Sequence, residues 1–153
     1  MHATQPMAGT LTITLHDRAG RVWAEHRLHN LVTDAGRSLV AGLFAGKRTG
    51  PLKASLVVGA GAEAASPGDT RLHSELDRIT VRDEHIRVDG PRVGLTARIP
   101  ERDTNHALRE AGICLALGAE AEVLYNRVVF DVINKAPNMQ MTLTWSVDFG
   151  GDK

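Results

Sequence analysis

The chain has 153 residues, 42% hydrophobic and 24% charged, the make-up of a soluble globular protein with enough chain for one self-sufficient core. Eighteen basic residues balance eighteen acidic ones, so no broad field draws it to nucleic acid or to a membrane surface. No run approaches the ~18 apolar residues of a membrane span, and the first ten residues lack the apolar stretch of a signal peptide. Synthesis in the cytoplasm without a signal peptide, and no membrane insertion, are the expectations.

Residues 1–9 are small and polar and read as a flexible arm ahead of a single domain, 10–153. Leu11, Ile13 and Leu15 alternate with Thr10, Thr12, Thr14 and His16, which predicts a strand. A turn at 17–20 then leads into its hairpin partner at 22–28. Thr33 is placed to cap a helix over about 34–45, with Asp34 in the first turn where the dipole favours an acid. Leu39, Val40, Leu43 and Phe44 fall on one face of that helix. Gly36 and Gly42 each weaken it by roughly 1 kcal/mol relative to Ala, so it needs a sheet to lie against.

A buried strand is expected at 52–58, then a loop of small residues to Gly68 and a single helical turn over 69–76. Segments 78–82 and 85–88 read as one strand interrupted by a bulge near Asp83. Gly90-Pro91 turns the chain into an alternating strand at 93–99, stopped by Pro100 and followed by a loop at 101–105. Residues 111–117 form the next strand. Residues 124–133 are apolar on both faces, with Leu124, Val128, Phe130 and Val132 on one side and Tyr125, Val129 and Ile133 on the other. Such a strand is central and covered twice.

The clearest pattern comes last. Over 139–149 the odd positions are Met139, Met141, Leu143, Trp145, Val147 and Phe149, and every even position is polar. Period two lays the six apolar groups on one face of a strand and would scatter them around a helix. Eight or nine strands and one helix make a mainly β, single-domain antiparallel β-sandwich, with the helix plugging one open end. The Thr-rich face of the last strand is either wet or covered by a neighbouring subunit.

Candidate chemistry is sparse. Gly59-Ala60-Gly61 follows a strand but lacks the Gly-Lys-Ser/Thr ending of a phosphate loop and the third glycine of a dinucleotide turn. A close-packed turn accounts for it better. His26 and His29, three apart on a strand, point to opposite faces, and no Cys or carboxylate is fixed by sequence beside His16, so no metal site is expected. Asp69, Glu75, Asp77, Asp83 and Glu84 interleave with Arg71, Arg78 and Arg82, which reads as a solvated, salt-bridged surface rather than a catalytic pair. Cys114, the one cysteine, sits in an apolar run and reads as a small buried hydrophobe. No catalytic or cofactor-binding residue is nominated, and an enzyme is not expected.

Three segments in order carry a resemblance. They are Asn30-Leu31-Val32-Thr33-Asp34-Ala35-Gly36-Arg37 leading into 39–44; Leu56-Val57-Val58-Gly59-Ala60-Gly61 with Asp69-Thr70-Arg71-Leu72 and Glu75-Leu76-Asp77-Arg78; and Glu110-Ala111-Gly112-Ile113 with Asn126-Arg127, closing on 139–149. Together these resemble small structural proteins of tailed bacteriophages and of phage-tail-like contractile injection systems, the tail, tail-fibre or collar-associated components. The resemblance spans most of 28–149 and its motifs are structural, so it transfers no reaction.

It implies a non-enzymatic structural subunit, assembled into a virion or phage-like particle, whose partners are further copies of itself and other tail, baseplate or collar proteins. Sheet edges and the Thr-rich face are the natural docking surfaces. The alternative is a carbohydrate- or receptor-binding β-sandwich module. Sugar sites display exposed aromatics, and only Trp23 offers one, because Trp145 and Tyr125 belong to the interior.

Overall fold

The strand with the cleanest alternation lies at the centre of a sheet. In the computed structural model, which describes residues 7–102 and 105–150, β10 (Gln140–Asp148) is flanked by β1 (Ala8–His16) and β7 (Arg92–Ile99), both antiparallel to it. Met141, Leu143 and Trp145 are fully buried on its inner face, each contributing on the order of 2 kcal/mol by leaving water. β2 (Val22–His29) and β6 (Ile86–Asp89) complete this first sheet in the order β2-β1-β10-β7-β6.

The second sheet runs β3-β9-β8-β4-β5, from β3 (Leu31–Val32), β9 (Val123–Lys135), β8 (His106–Leu117), β4 (Leu52–Gly59) and β5 (Glu75–Thr80). The two sheets face each other across one apolar core in a single antiparallel β-sandwich. The first strand starts at Ala8, two residues earlier than its alternation suggested. Residues 1–6 of the expected arm, and 103–104 of the expected loop, lie outside the described residues.

The chain changes sheets at both margins. Asn30 separates β2 from β3, and its side-chain Oδ1 accepts the Trp145 indole N–H at 2.6 Å and the Asn126 amide at 3.1 Å. Asn126 in turn accepts the Ile113 backbone N–H at 2.8 Å. A short polar chain thus ties the corner to both sheets from inside. At the opposite margin a 3-10 turn, Asp83–His85, carries the chain from β5 to β6. What looked like one strand with a bulge near Asp83 is therefore two strands in two different sheets.

The helix α1 (Asp34–Phe44) is capped by Thr33, whose Oγ1 accepts the Gly36 N–H at 2.9 Å and donates to the Leu124 carbonyl at 2.5 Å. Gly36 has a reason beyond tolerance. A Cβ there would lie 2.5 Å from the Tyr125 carbonyl oxygen and 2.8 Å from the Tyr125 Cα, so the helix can touch β9 only through a bare backbone. Leu39 and Val40 pack inward, but Phe44, expected on the same face, is 94% exposed at the last turn. The plug is consequently incomplete.

β9 departs from simple alternation. Leu124 pairs with Cys114 while Asn126 pairs with Ile113, leaving Tyr125 as an extra residue, and a second irregularity follows opposite Leu108 and Glu110. The bulge puts Tyr125 and Val128 together in the core and Leu124 on the outside. Leu124 and Val128, expected on one side, therefore face opposite ways. β9 is covered twice only over its first residues: Leu72, in the segment between β4 and β5, closes over Val57, Cys114 and Leu124 on the outer side, whereas Val132, expected inside, is 42% exposed.

Candidate interaction surfaces and the buried pin beneath one of them

Glu110 and Cys114 are four residues apart on β8 and share the outer face of the second sheet. Glu110 has no solvent exposure. Its Oε1 accepts the His73 N–H at 3.0 Å and Arg127 Nε at 2.9 Å, and its Oε2 accepts the Gly61 and Ser74 N–H groups, both at 2.7 Å. Four donors converge on one carboxylate. Burial is the largest influence on Glu110 and pushes its pKa up, yet the bonds from His73, Ser74, Arg127 and Gly61 outweigh it and hold the group below its ordinary value.

Arg127, on β9 and equally buried, extends the pin outward. Its Nη1 donates to Asp69 Oδ2 at 3.0 Å, and Asp69 also accepts the Ser66 N–H at 2.9 Å. Burial alone would raise the Asp69 pKa, but the Ser66, Arg127 and His73 bonds together lower it. At the rim, His73 Nε2 lies 3.4 Å from Asp69 and Nδ1 lies 2.6 Å from Glu63, so its pKa rises, chiefly through Glu63.

This arrangement explains the glycine loop. A Cβ on Gly61 would meet Glu110 Oε2 and the His73 Cβ, each at 2.6 Å, and one on Gly59 would strike the Ser74 carbonyl. The loop serves to let backbone close on a buried carboxylate. The same carboxylate overturns the expected helical turn at 69–76. The N–H groups of His73 and Ser74 are committed to Glu110, and Glu75 already pairs with Gly59 in β5.

The other sequence candidates disperse. Asp69 is not the solvated acid expected but the partner of a buried arginine. Most of the remaining charges form surface pairs: Arg78 bridges Glu75 and Glu122, Arg102 binds Asp77, and Arg82 lies near Glu84, while Asp83 and Arg71 take part in none of these pairs. His29 sits beside Thr10 on the outer face of β1, His26 is opposite Ile13, and His16 contacts Thr142, so the three are not brought together. Among the described residues no group of three or more His, Cys, Asp or Glu is placed to hold a metal, and no helix is long and apolar enough to cross a membrane. Cys114 is buried, and burial pushes its thiol up to about 12.

The outer face of the first sheet is different in kind. The register sets Thr10 beside Ser146, Thr12 beside Thr144 and Thr14 beside Thr142, with Thr96 next to Thr144 on the far side. Rows of hydroxyls cross the three central strands, bordered by His29, Arg27 and Glu25 on β2 and by Arg98 on β7. Thr144 and Ser146 are exposed and the other hydroxyls half-buried. On the margin, Trp23 of β2 is 68% exposed and Val22 61%.

Two features were missed in the sequence. The Glu110–Arg127 pair carries no local pattern, since the partners are seventeen residues apart on neighbouring strands. The tying role of Asn30 is equally non-local. The available signal was indirect: one acid, Glu110, and one arginine, Arg127, embedded in apolar strands, and glycines at 59 and 61 that a close approach would require. Comparison of the chain with protein-family models, with curated proteins and with solved structures found no match.

Proposed function

We propose that the chain is a non-enzymatic structural subunit of a phage tail or phage-tail-like injection particle, docking on further copies of itself or on tail, baseplate or collar proteins. The observation that carries this reading is the asymmetry of the two sheets. The second sheet has part of its outer face covered by the chain's own 60–74 segment, pinned on Glu110. The first presents a hydroxyl-lined face over β1, β10 and β7 that no element among the described residues covers. A regular polar sheet face of this kind suits lateral packing against another protein, where short hydroxyls form hydrogen bonds at little cost in side-chain entropy.

The motifs behind the resemblance add support. Gly61, Asp69, Leu72, Glu110, Arg127, Asn30 and Thr33 converge on the pin, the corner and the helix cap, so they act as one structural set. The test is to sediment native lysate through a density gradient and locate the chain by mass spectrometry. Co-migration with megadalton particles that carry sheath or tube proteins is expected, and Thr12→Arg/Thr144→Arg, which crowds the hydroxyl face, should leave a folded chain at the top. Wild-type chain found only at the top of the gradient would remove the reading.

A second reading, a carbohydrate- or receptor-binding module, draws on the exposed Trp23. It predicts hits on a glycan array that Trp23→Ala abolishes.

A further inference from the structure

A cavity of about 250 Å³ lies between the sheets at the end where α1 makes its incomplete plug. Val40 and Leu43 of α1 form one wall, Ala54 of β4 and Ile113 of β8 a second, and Val93 and Leu95 of β7 a third. The lining contains one polar side chain, Tyr125, and its hydroxyl is turned to the Met7 sulfur at 4.0 Å. Water gains nothing there, because a buried water needs two to four polar partners. Leaving the space empty forfeits the dispersion contacts of every wall atom.

The dimensions limit the guest. Three strands contribute residues two apart to the lining, namely 52 and 54, 93 and 95, and 113 and 115, and Val147 of β10 with Phe149 just past its end adds a further pair. A two-residue step along a strand is about 7 Å, so the cavity is about that deep. At about 250 Å³ the space is then about as broad as it is deep, which suits a compact molecule rather than an extended chain. An apolar cavity of about 150 Å³ takes up benzene, so scaling to this volume gives a guest of roughly ten carbon atoms. Two of the lining residues, Leu52 and Phe149, are 47% and 43% exposed, so the cavity is open to solvent and a single polar substituent can stay in water while the rings are buried.

We propose that this cavity is a binding site for a compact apolar molecule of one or two rings, held by shape and burial with any polar group left at the mouth. The site does not depend on the assembly reading, since its walls lie between the sheets and away from the hydroxyl face.

The probe is 2-naphthol, titrated by fluorescence and by methyl-resolved NMR on the intact chain. Saturable one-to-one binding is expected, with shifts at Leu43, Val93 and Leu95 and a raised melting temperature. Ala54→Leu and Val93→Phe fill the space from opposite sheets, and each should weaken binding at least tenfold. Two variants guard against one of them misfolding, which circular dichroism reports. n-Decanol, of equal carbon number but extended, should bind at least tenfold more weakly than 2-naphthol.

No saturable binding by wild type would overturn the proposal, as would equal binding by both filled variants. It would also fall if sedimentation equilibrium found a dimer that Phe44→Ala and Ala54→Leu both dissolve. That result would assign the cavity to the exposed Phe44 of a second copy.

Discussion

Replacing Glu110 by glutamine keeps its volume and removes its charge. Each carboxylate oxygen accepts two donors, His73 N–H and Arg127 Nε on one and Gly61 and Ser74 N–H on the other. Whichever oxygen becomes the amide nitrogen, two donors then face a donor. At about 1–3 kcal/mol for each buried donor left without a partner, the loss is about 2–6 kcal/mol. Breaking a buried ion pair from one side costs about 3–5 kcal/mol, an independent route to the same size. For a chain of this length each kcal/mol moves the melting temperature by about 2–4 °C, so the range common to both routes, about 3–5 kcal/mol, gives an expected fall of about 6–20 °C.

Chemical denaturation gives the free energy, and hydrogen exchange at Gly61, His73 and Ser74 reports whether the loop has come loose. The double variant Glu110→Gln/Arg127→Met should cost less than the two single losses added, because neither member of the pair is left as a lone charge and Asp69 keeps its Ser66 and His73 partners. There is also a pH component. The Glu110 pKa is lowered on folding, so its stabilisation is present above the ordinary 4.5 and is lost as pH falls through the lowered native value. Glu110→Gln should lack that component below pH 4.5. A loss under about 1 kcal/mol, with unchanged exchange at the three amides, would refute the account of the pin.

Three further outcomes are expected. Cys114, with its thiol pushed up to about 12, should be inert to Ellman's reagent in the native chain at pH 8 and react at once in denaturant; fast native reaction would show that the outer cluster opens. His73 should titrate by NMR above the ordinary 6.5, and Glu63→Gln should move its midpoint down; because the folded pKa is raised, its contribution is present below pH 6.5 and lost as pH rises through the native value. Gly36→Ala, which would favour an isolated helix by about 1 kcal/mol, should instead destabilise the protein by about 1–3 kcal/mol in a denaturant melt, since the new methyl meets the Tyr125 backbone.

Legibility followed the range of the interaction that fixes each element. The 140–148 strand, the Thr33 cap and the buried Cys114 depend on neighbours within one turn or one pleat, and alternation or capping chemistry reveals them. The bulge at Tyr125 did not show, because Leu124 and Tyr125 are both large and apolar and nothing local says that the two face opposite ways; the consecutive Asn126 and Arg127 were the one mark of a change of parity. The 69–76 segment misled for a different reason. Asp69 at its start is a good cap for a helical turn, and only a carboxylate from a distant strand diverts the N–H groups of His73 and Ser74. Phe44 matched the helical stripe, yet the stripe extends beyond the surface that the sheets offer it.

The central place of β10 also fixes an order of events in time. β1 with β2, and β7 with β6, form two separate hairpin pairs, and both meet only through residues 140–148. By the time residue 135 has left the ribosome every strand of the second sheet exists, while the first is still two halves with a strand-wide gap. Through that interval Leu11, Ile13 and Leu15 on one half and Leu95, Ala97 and Ile99 on the other stay without the strand that joins them. The nascent chain thus carries an open slot shaped for one strand, and synthesis of the 140–148 segment is the step that commits it to the finished sandwich.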